Sequence, residues 1–419
     1  MNYLNKKIVV VGLGYVGLPL AVRLSTYFDV IGYDISSSRI SALRQYSDKT
    51  NEVSKKELKQ AKKLSFTNES HDIQNQYIYI VTVPTPVNKM NLPDLSILKA
   101  ACKVVGKNIK NQSIIIFEST VYPGVTEKIC APIISKESKL VYNKNFYIGY
   151  SPERINPGDK KHKVEDIVKV VSGSTDKITK IIGKIYKTII KAGVFYAKSI
   201  EVAETAKAIE NAQRDINIAF INEISLLCGK LDISIYDVLD AAKTKWNFLD
   251  FHPGLVGGHC IGVDPYYLAH VAKKVKSNAE VILAGRRIND KMANIIFKKI
   301  VKLITLKSRV LQIGISFKEN VPDIRNSKAA ELASMFIKKK YNLDIYDPVV
   351  DKDEVLSAYN ISLDNPSGKY DCIIITVPHK IIFKDKNFKQ FLNKSSIIFD
   401  ITGNYRNYFT KDKYNYFSL

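Results

Sequence analysis

Lys7-Ile8-Val9-Val10-Val11-Gly12-Leu13-Gly14-Tyr15-Val16-Gly17-Leu18-Pro19-Leu20-Ala21-Val22-Arg23-Leu24 is the stretch on which the fold turns. A short β-branched run stops at a glycine, and apolar residues then recur at helical spacing, so the segment reads strand, tight turn, helix. That context gives Gly12-x-Gly14-x-x-Gly17 its meaning, because the same letters in a loop say little. Gly12 permits the turn, Gly14 lets the backbone approach a pyrophosphate, and Gly17 lets helix and strand pack closely. The helix start, at Tyr15, Val16 and Gly17, faces the negative charge with its backbone N–H groups. Asp34 stands 22 residues after Gly12, at the end of a second strand. A carboxylate there accepts from a ribose diol and repels a 2′-phosphate, so NAD is expected in preference to NADP. Arg39 is close enough to share the cofactor site.

Outward from this stretch, Tyr77 to Val83 and Ser113 to Phe117 read as further buried strands, and alternating β and α predicts a parallel sheet. From Ser199 to about Leu231 the pattern becomes one long amphipathic helix. A shorter helix (Ile235 to Lys243), a glycine-rich loop (Gly254 to Gly262) and helices to about Leu306 follow. After Lys307 the opening pattern returns in order. Arg309 to Gly314 echoes Lys7 to Gly12, Leu343 to Asp347 echoes Val30 to Asp34, Ile374 to Pro378 echoes Tyr79 to Pro84, and Ile397 to Asp400 echoes Ile115 to Glu118. The expected fold is α/β: two Rossmann-like parallel-sheet domains, 1–198 and 307–419, joined by a helical central domain, 199–306, with one long connecting helix. Two nucleotide-like ligands would face one another. Gly314-Ile315-Ser316-Phe317-Lys318 lacks the full fingerprint, so its half is expected to bind a different anion. Lys318 and Arg325 are either phosphate contacts or ordinary surface cations.

With 46% hydrophobic residues among 419, the chain is not disordered. Its 63 Lys and Arg against 41 Asp and Glu give a formal charge of +22. The excess is scattered in groups such as Lys160-Lys161 and Lys338-Lys339-Lys340, not gathered on an Arg-rich arm, so a solvated basic surface and no nucleic-acid partner are expected. Five cysteines, odd in number and without a Cys-x-x-Cys pair, indicate neither a disulfide framework nor a zinc site, and fit a reducing cytoplasm. No metal is expected. Gly12, Gly14, Gly17 and Pro19 break the apolar run from Ile8 to Val22, so neither an export signal nor membrane insertion is expected.

Three groups of residues carry possible chemistry. Gly257-Gly258-His259-Cys260-Ile261-Gly262-Val263-Asp264 places a thiol on a loop that a substrate can approach closely, though a cysteine is also an ordinary small core residue. Lys207 and Asn211 lie four apart on the long helix and can hold an oxyanion and a water, or else lie on a solvated face with Glu204, Glu210 and Arg214. Ser151-Pro152-Glu153-Arg154-Ile155-Asn156-Pro157-Gly158 offers Glu153 as an acid–base group, and Glu118-Ser119-Thr120 closes a strand on the cofactor side.

Together with Val83-Pro84-Thr85-Pro86 and the segment from Phe317-Lys318 through Asp323-Ile324-Arg325, these motifs resemble, in order and over nearly the whole chain, the nucleotide-diphospho-sugar 6-dehydrogenases, the UDP-glucose and GDP-mannose dehydrogenase family. Gly258 to Tyr267 is similar to the branch acting on UDP-N-acetylhexosamines, which implies UDP-GlcNAc or UDP-GalNAc as substrate, with UDP-glucose or UDP-N-acetylmannosamine as alternatives. The resemblance implies a four-electron oxidation of C6 to the carboxylate with two NAD⁺, through a Cys260 thiohemiacetal and thioester. It implies Lys207 on the oxyanion, Asn211 and Asp264 on water, and Glu153 with Thr120 in the acid–base steps. Thr85, Thr120 and Arg325 are then cofactor contacts, and Glu153, Arg154, Lys207, Asn211, Gly257 and Lys318 substrate contacts. A homodimer or larger assembly, with loop residues Trp246 to His252 near the sugar, and a role in capsule or O-antigen synthesis are also implied. A two-electron hydroxyacid dehydrogenase explains neither Cys260 nor the second half, and a non-catalytic NAD or nucleic-acid-binding module is the remaining alternative.

Overall fold

The run Ile8–Val11 is strand β1, buried along its whole length and paired in parallel with two neighbours: Val10 lies opposite Gly32 on one side and Ile80 on the other. Burial on both faces is why it reads as continuous Ile and Val and not as an alternating pattern. The computed structural model describes residues 3–88, 90–154, 164–258, 261–384, 387–410 and 414–419. They fall into two units, Met1–Glu210 with Tyr266–Asn278 and Asn211–Pro265 with Ala279–Leu419, the division lying within the helix Ile200–Lys230.

The first unit is built on eight strands: β1, β2 (Val30–Tyr33), β3 (Leu64–Thr67), β4 (Gln76–Val81), β5 (Ile109–Phe117), β6 (Phe146–Tyr150), β7 (Lys169–Gly173) and β8 (Val194–Tyr196). Their spatial order is β3-β2-β1-β4-β5-β6-β7-β8, parallel except between β6 and β7. The order reverses direction between β1 and β4, and such a reversal opens a crevice at the carboxyl ends of the strands. Leu18, Leu20, Ala21 and Leu24 of the helix Gly17–Leu24 pack with Ile8, Val10, Ile78 and Ile80 in one core.

The second unit repeats this plan in five parallel strands: β9 (Arg309–Ile313), β10 (Asn342–Tyr346), β11 (Tyr370–Ile375), β12 (Leu392–Asp400) and β13 (Asn415–Ser418), in the order β10-β9-β11-β12-β13. The α/β architecture read from the sequence, two mainly parallel sheets with helices between them in the chain, is the one observed. The repeat extends to single atoms. Gly12 and Gly314 have φ of 92° and 88°, and their N–H groups donate to Tyr33 O at 2.8 Å and Tyr346 O at 2.9 Å. The next N–H donates to an aspartate in each case, Leu13 to Asp34 and Ile315 to Asp347, both at 2.8 Å. The glycine carbonyl accepts from a threonine, Thr82 at 2.7 Å and Thr376 at 2.6 Å.

Asp347 also accepts from the Ser316 and Val349 N–H groups and pairs with the buried His379 at 3.0 Å. Burial acts to raise its pKa, but the His379 contact and these N–H groups outweigh burial and hold it below its ordinary 3.8. Its contribution to stability is therefore present above pH 3.8 and lost as pH falls through the depressed value. Asp347→Ala should destabilise the second unit by about 3 kcal/mol in urea unfolding at pH 7, with the difference from wild type shrinking under acid. An unchanged midpoint at pH 7 would show that these bonds contribute nothing.

Candidate active site

The glycine turn of the first unit has the space and donors that a dinucleotide needs. A Cβ on Gly17 would lie 1.9 Å from the Gly12 carbonyl oxygen, so helix and turn touch there, whereas a Cβ on Gly14 would meet nothing within 4 Å. That open space is where a pyrophosphate fits over the helix start. Asp34 supports the turn from below, accepting from Leu13 with one oxygen and from Ser36 at 2.9 Å with the other. Arg39 Nε donates to Leu13 O at 2.9 Å, and its guanidinium lies 2.8 Å from Asp48. The arginine expected at the cofactor thus braces the turn from the protein side.

The loops that leave β4 and β5 are tied together beside this turn. Ser119 donates to Val83 O at 2.6 Å, and Thr85 to Thr120 O at 2.5 Å. Tyr267 OH donates to Thr85 O, and Lys274 Nζ to Tyr122 OH at 3.1 Å, so the segment from Tyr266 packs on these two loops. Below them Glu118 and Glu153 share the buried ammonium of Lys169, at 2.8 and 2.9 Å. Arg154, a candidate substrate contact, is paired with Glu210 at 2.8 Å.

On the long helix, burial settles what spacing left open. Glu204, Lys207 and Asn211 are 0%, 8% and 4% exposed, so this is no solvated face. Glu204 accepts from the Gly124 and Thr126 N–H groups at 2.6 and 3.0 Å, and burial pushes its carboxyl up to about 7. Lys207 Nζ makes no hydrogen bond or ion pair with any described residue, which leaves its donors available to a ligand.

In the second unit, Asn211 Nδ2 donates to Asp264 Oδ2 at 2.5 Å, with both side chains buried. The loop before Asp264 is rooted at Gly254, which exchanges two hydrogen bonds with Asn222 at 2.8 and 3.0 Å. Asn222 in turn donates to Asn289 at 2.8 Å, and Asn289 and Arg286 both donate to Asp215, at 2.7 and 2.6 Å. Further along, a Cβ on Gly257 would lie 2.6 Å from Asn326 O, and one on Gly258, whose φ is 83°, would lie 2.7 Å from the Phe317 ring. The glycines are therefore required by packing. His259 and Cys260 lie outside the described residues, as do Ile155 to Gly158. Lys318 O accepts from Ser316 Oγ at 2.8 Å, and Arg325 is paired with Asp323 through two guanidinium nitrogens. Lys169, Tyr186 and His379 are among the buried polar groups that sequence reading missed, and Glu204 is buried where a solvated face was the alternative. The signal for Lys169 was a lysine inside the run Ile167-Val168-Lys169-Val170-Val171.

Family profiles match three consecutive segments: the NAD-binding domain of the UDP-glucose/GDP-mannose dehydrogenase family over residues 6–190, its central domain over 201–291 and its UDP-binding domain over 311–407. The chain belongs to the UDP-glucose/GDP-mannose dehydrogenase family. It is an NAD-dependent nucleotide-sugar 6-dehydrogenase of that family. Among its relatives is UDP-N-acetyl-D-glucosamine 6-dehydrogenase of Pseudomonas aeruginosa, 47% identical over 94% of this chain and 96% of that one. The protein of the same name from Salmonella typhi is 45% identical, covering 99% and 95%. A solved UDP-D-ManNAc dehydrogenase of Pyrococcus horikoshii superposes with a TM-score of 0.85 over 99% of each chain at 27% identity. Among the described residues no cluster of His, Cys, Asp and Glu could hold a metal, and no helix is long and apolar enough to cross a membrane. Four described cysteines, Cys102, Cys130, Cys228 and Cys372, are free and buried.

Gly17→Ala forces its methyl into the Gly12 carbonyl, so it should abolish NADH binding measured by fluorescence. Gly14→Ala, with open space at that position, should fold normally and weaken binding at least about tenfold. Full NADH affinity in Gly17→Ala would show that the turn does not form the dinucleotide site.

Proposed function

We propose that this dehydrogenase oxidises the C6 hydroxymethyl of a UDP-N-acetylhexosamine, UDP-N-acetylglucosamine foremost, to the uronate. The observation that carries this reading is the near full-length identity, 47% and 45%, to two proteins named for that activity, against 32% for a UDP-N-acetyl-D-mannosamine dehydrogenase of Methanocaldococcus jannaschii. The product is an acidic aminosugar nucleotide, a building block suited to capsule or O-antigen synthesis. Residues 1–198 serve as the NAD-binding domain, 199–306 as the central domain and 307–419 as the UDP-sugar domain.

Bound NAD⁺ supplies an acceptor for the hydride leaving C6, once in each of two oxidations. The turn Gly12 to Gly17, including the Tyr15 and Val16 N–H groups, and Asp34, Thr85, Thr120 and Arg325 would hold it. Glu153 takes the alcohol proton in the first oxidation, with Thr120 helping to hold a water. The Cys260 thiolate then adds to the aldehyde carbon, giving a thiohemiacetal whose oxygen the Lys207 ammonium stabilises. Loss of the second hydride leaves a thioester, and Asn211 with Asp264 orients the water that hydrolyses it and frees the thiol. Arg154, Gly257 and Lys318 contribute to holding the sugar nucleotide.

The functional form is a homodimer or a larger assembly of this chain. Phe220, Leu227, Leu231 and Ile233 in the second unit are 48–60% exposed, an apolar surface that a second copy would cover. Phe220→Glu should convert the dimer to a monomer in light scattering, and an unaltered mass would exclude this face.

Incubation with NAD⁺ and a panel of UDP-sugars should give most NADH with UDP-N-acetylglucosamine, and mass spectrometry should identify the uronate. Preference for UDP-glucose or UDP-N-acetylmannosamine would overturn the assignment. Cys260→Ser should lose most acid formation while keeping NAD binding, and undiminished uronate formation would remove the covalent step.

A further inference from the structure

Three charged side chains meet inside the first unit, where β5 ends, β6 gives way to its loop and β7 begins. Glu118 is 0% exposed, Lys169 4% and Glu153 9%. Lys169 Nζ donates to Glu118 Oε2 at 2.8 Å and to Glu153 Oε2 at 2.9 Å. The other Glu118 oxygen accepts from the phenol of Tyr186, and the other Glu153 oxygen from the Arg154 backbone N–H at 2.6 Å. Glu153 is thereby held at both oxygens. The oxidation steps given above use neither Lys169 nor Glu118 nor Tyr186.

Stability alone does not account for such a cluster. Two carboxylates on one buried ammonium leave an uncompensated negative charge, and apolar residues of the same volume would pack at least as well. The arrangement does suit a carboxylate that must stay ionised where burial would otherwise protonate it, because a cation at hydrogen-bond distance reverses the effect of burial. Glu153 is the member whose edge reaches the surface. Glu118 lies wholly inside, and burial pushes its carboxyl up to about 7, Lys169 and Tyr186 opposing and Glu153 adding to the shift. The two carboxylates therefore compete for one ammonium.

We propose that Lys169 is the positioning residue of Glu153, holding its carboxylate ionised and fixed from the core, while Glu118 and Tyr186 seat the far side of the ammonium. The inference rests on the assignment of Glu153 as the acid–base group. The charged and titratable groups that reach that carboxylate directly or through Lys169 include Glu118 from the end of β5, Lys169 itself from β7 and Tyr186 from the helix Asp176–Lys187. Arg154 adjoins it and is itself neutralised by Glu210 of the long helix.

The test is the pH profile of kcat/KM with NAD⁺ and UDP-N-acetylglucosamine for wild type, Lys169→Arg, Glu118→Gln and the double variant Lys169→Met with Glu118→Gln, which leaves no second unpaired carboxylate in the core. NADH binding reports that each variant is folded. Glu118→Gln gives the whole ammonium to Glu153, so the acidic limb should move down. In the double variant it should move up by about one pH unit or more, and Lys169→Arg should stay near wild type. An acidic limb at the wild-type position in both Glu118→Gln and the double variant would overturn the proposal. If the double variant does not bind NADH, an unmoved limb in Glu118→Gln alone does so. Carboxyl NMR of 13C-glutamate-labelled protein, with Glu153→Gln assigning the resonance, reads the same shifts without turnover. A wild type inactive on every UDP-sugar would sink the functional reading and leave the Lys169 question to that titration.

Discussion

A threonine hydroxyl donating to the carbonyl of a left-handed glycine, Thr82 to Gly12 and Thr376 to Gly314, is the contact on which both units depend. Only glycine adopts this φ without strain, and a carbonyl turned inward there needs a partner. Once threonine caps that carbonyl and an aspartate catches the next N–H, the chain leaves the strand in a fixed direction. In the first unit Gly17 follows, and its helix presses against the turn while the space at Gly14 stays open. The second unit has no counterpart of Gly17. Its chain runs instead through Ser316 to Asn320, whose N–H donates to His379 Nδ1 at 2.8 Å, and so presents Lys318 on a braced loop. One device repeated thus yields two different loops.

The interior charges obey a different rule from the surface. A formal excess of +22 is carried mainly by scattered lysines and matters for solubility more than for chemistry. The buried charges are few and grouped. In the first unit they are Glu118, Glu153 and Lys169, with Glu204 and Lys207 one helical turn apart. In the second, among the described residues, they are Asp264 beside Asn211, the Asp215–Arg286 pair that roots the loop of Gly254, Asp347 beside His379, and Asp323 and Asp400. All of these but Lys207 are held by a second polar group, and perturbed ionisation gathers in such places at functional sites.

The sequence made much of this legible, and the reason lies in range. Strand β1, its turn and its helix are local, so periodicity and glycine spacing predict them, and the same signals expose the repeat at Arg309 to Gly314. The long helix was legible for the same reason. Whether Lys207 and Asn211 faced solvent was not, because one helix face carries both charged and small residues and only tertiary burial decides. The Lys169–Glu118 pair spans 51 residues and the Glu204–Gly124 pair 80, so no local pattern could join them. The antiparallel β6–β7 pair and the packing of the segment from Tyr266 on Thr85 were likewise settled by distant contacts. The reactive part assigned to Cys260 came from resemblance to the family, since composition alone favours a buried core thiol.

The proposed function requires a single chain to remove four electrons from one carbon. The direct measurement is the count of NADH formed per UDP-N-acetylglucosamine consumed, taken to completion with limiting sugar. Two NADH per sugar, with no aldehyde accumulating, is the predicted result; one NADH per sugar, with the aldehyde as the end product, would contradict it.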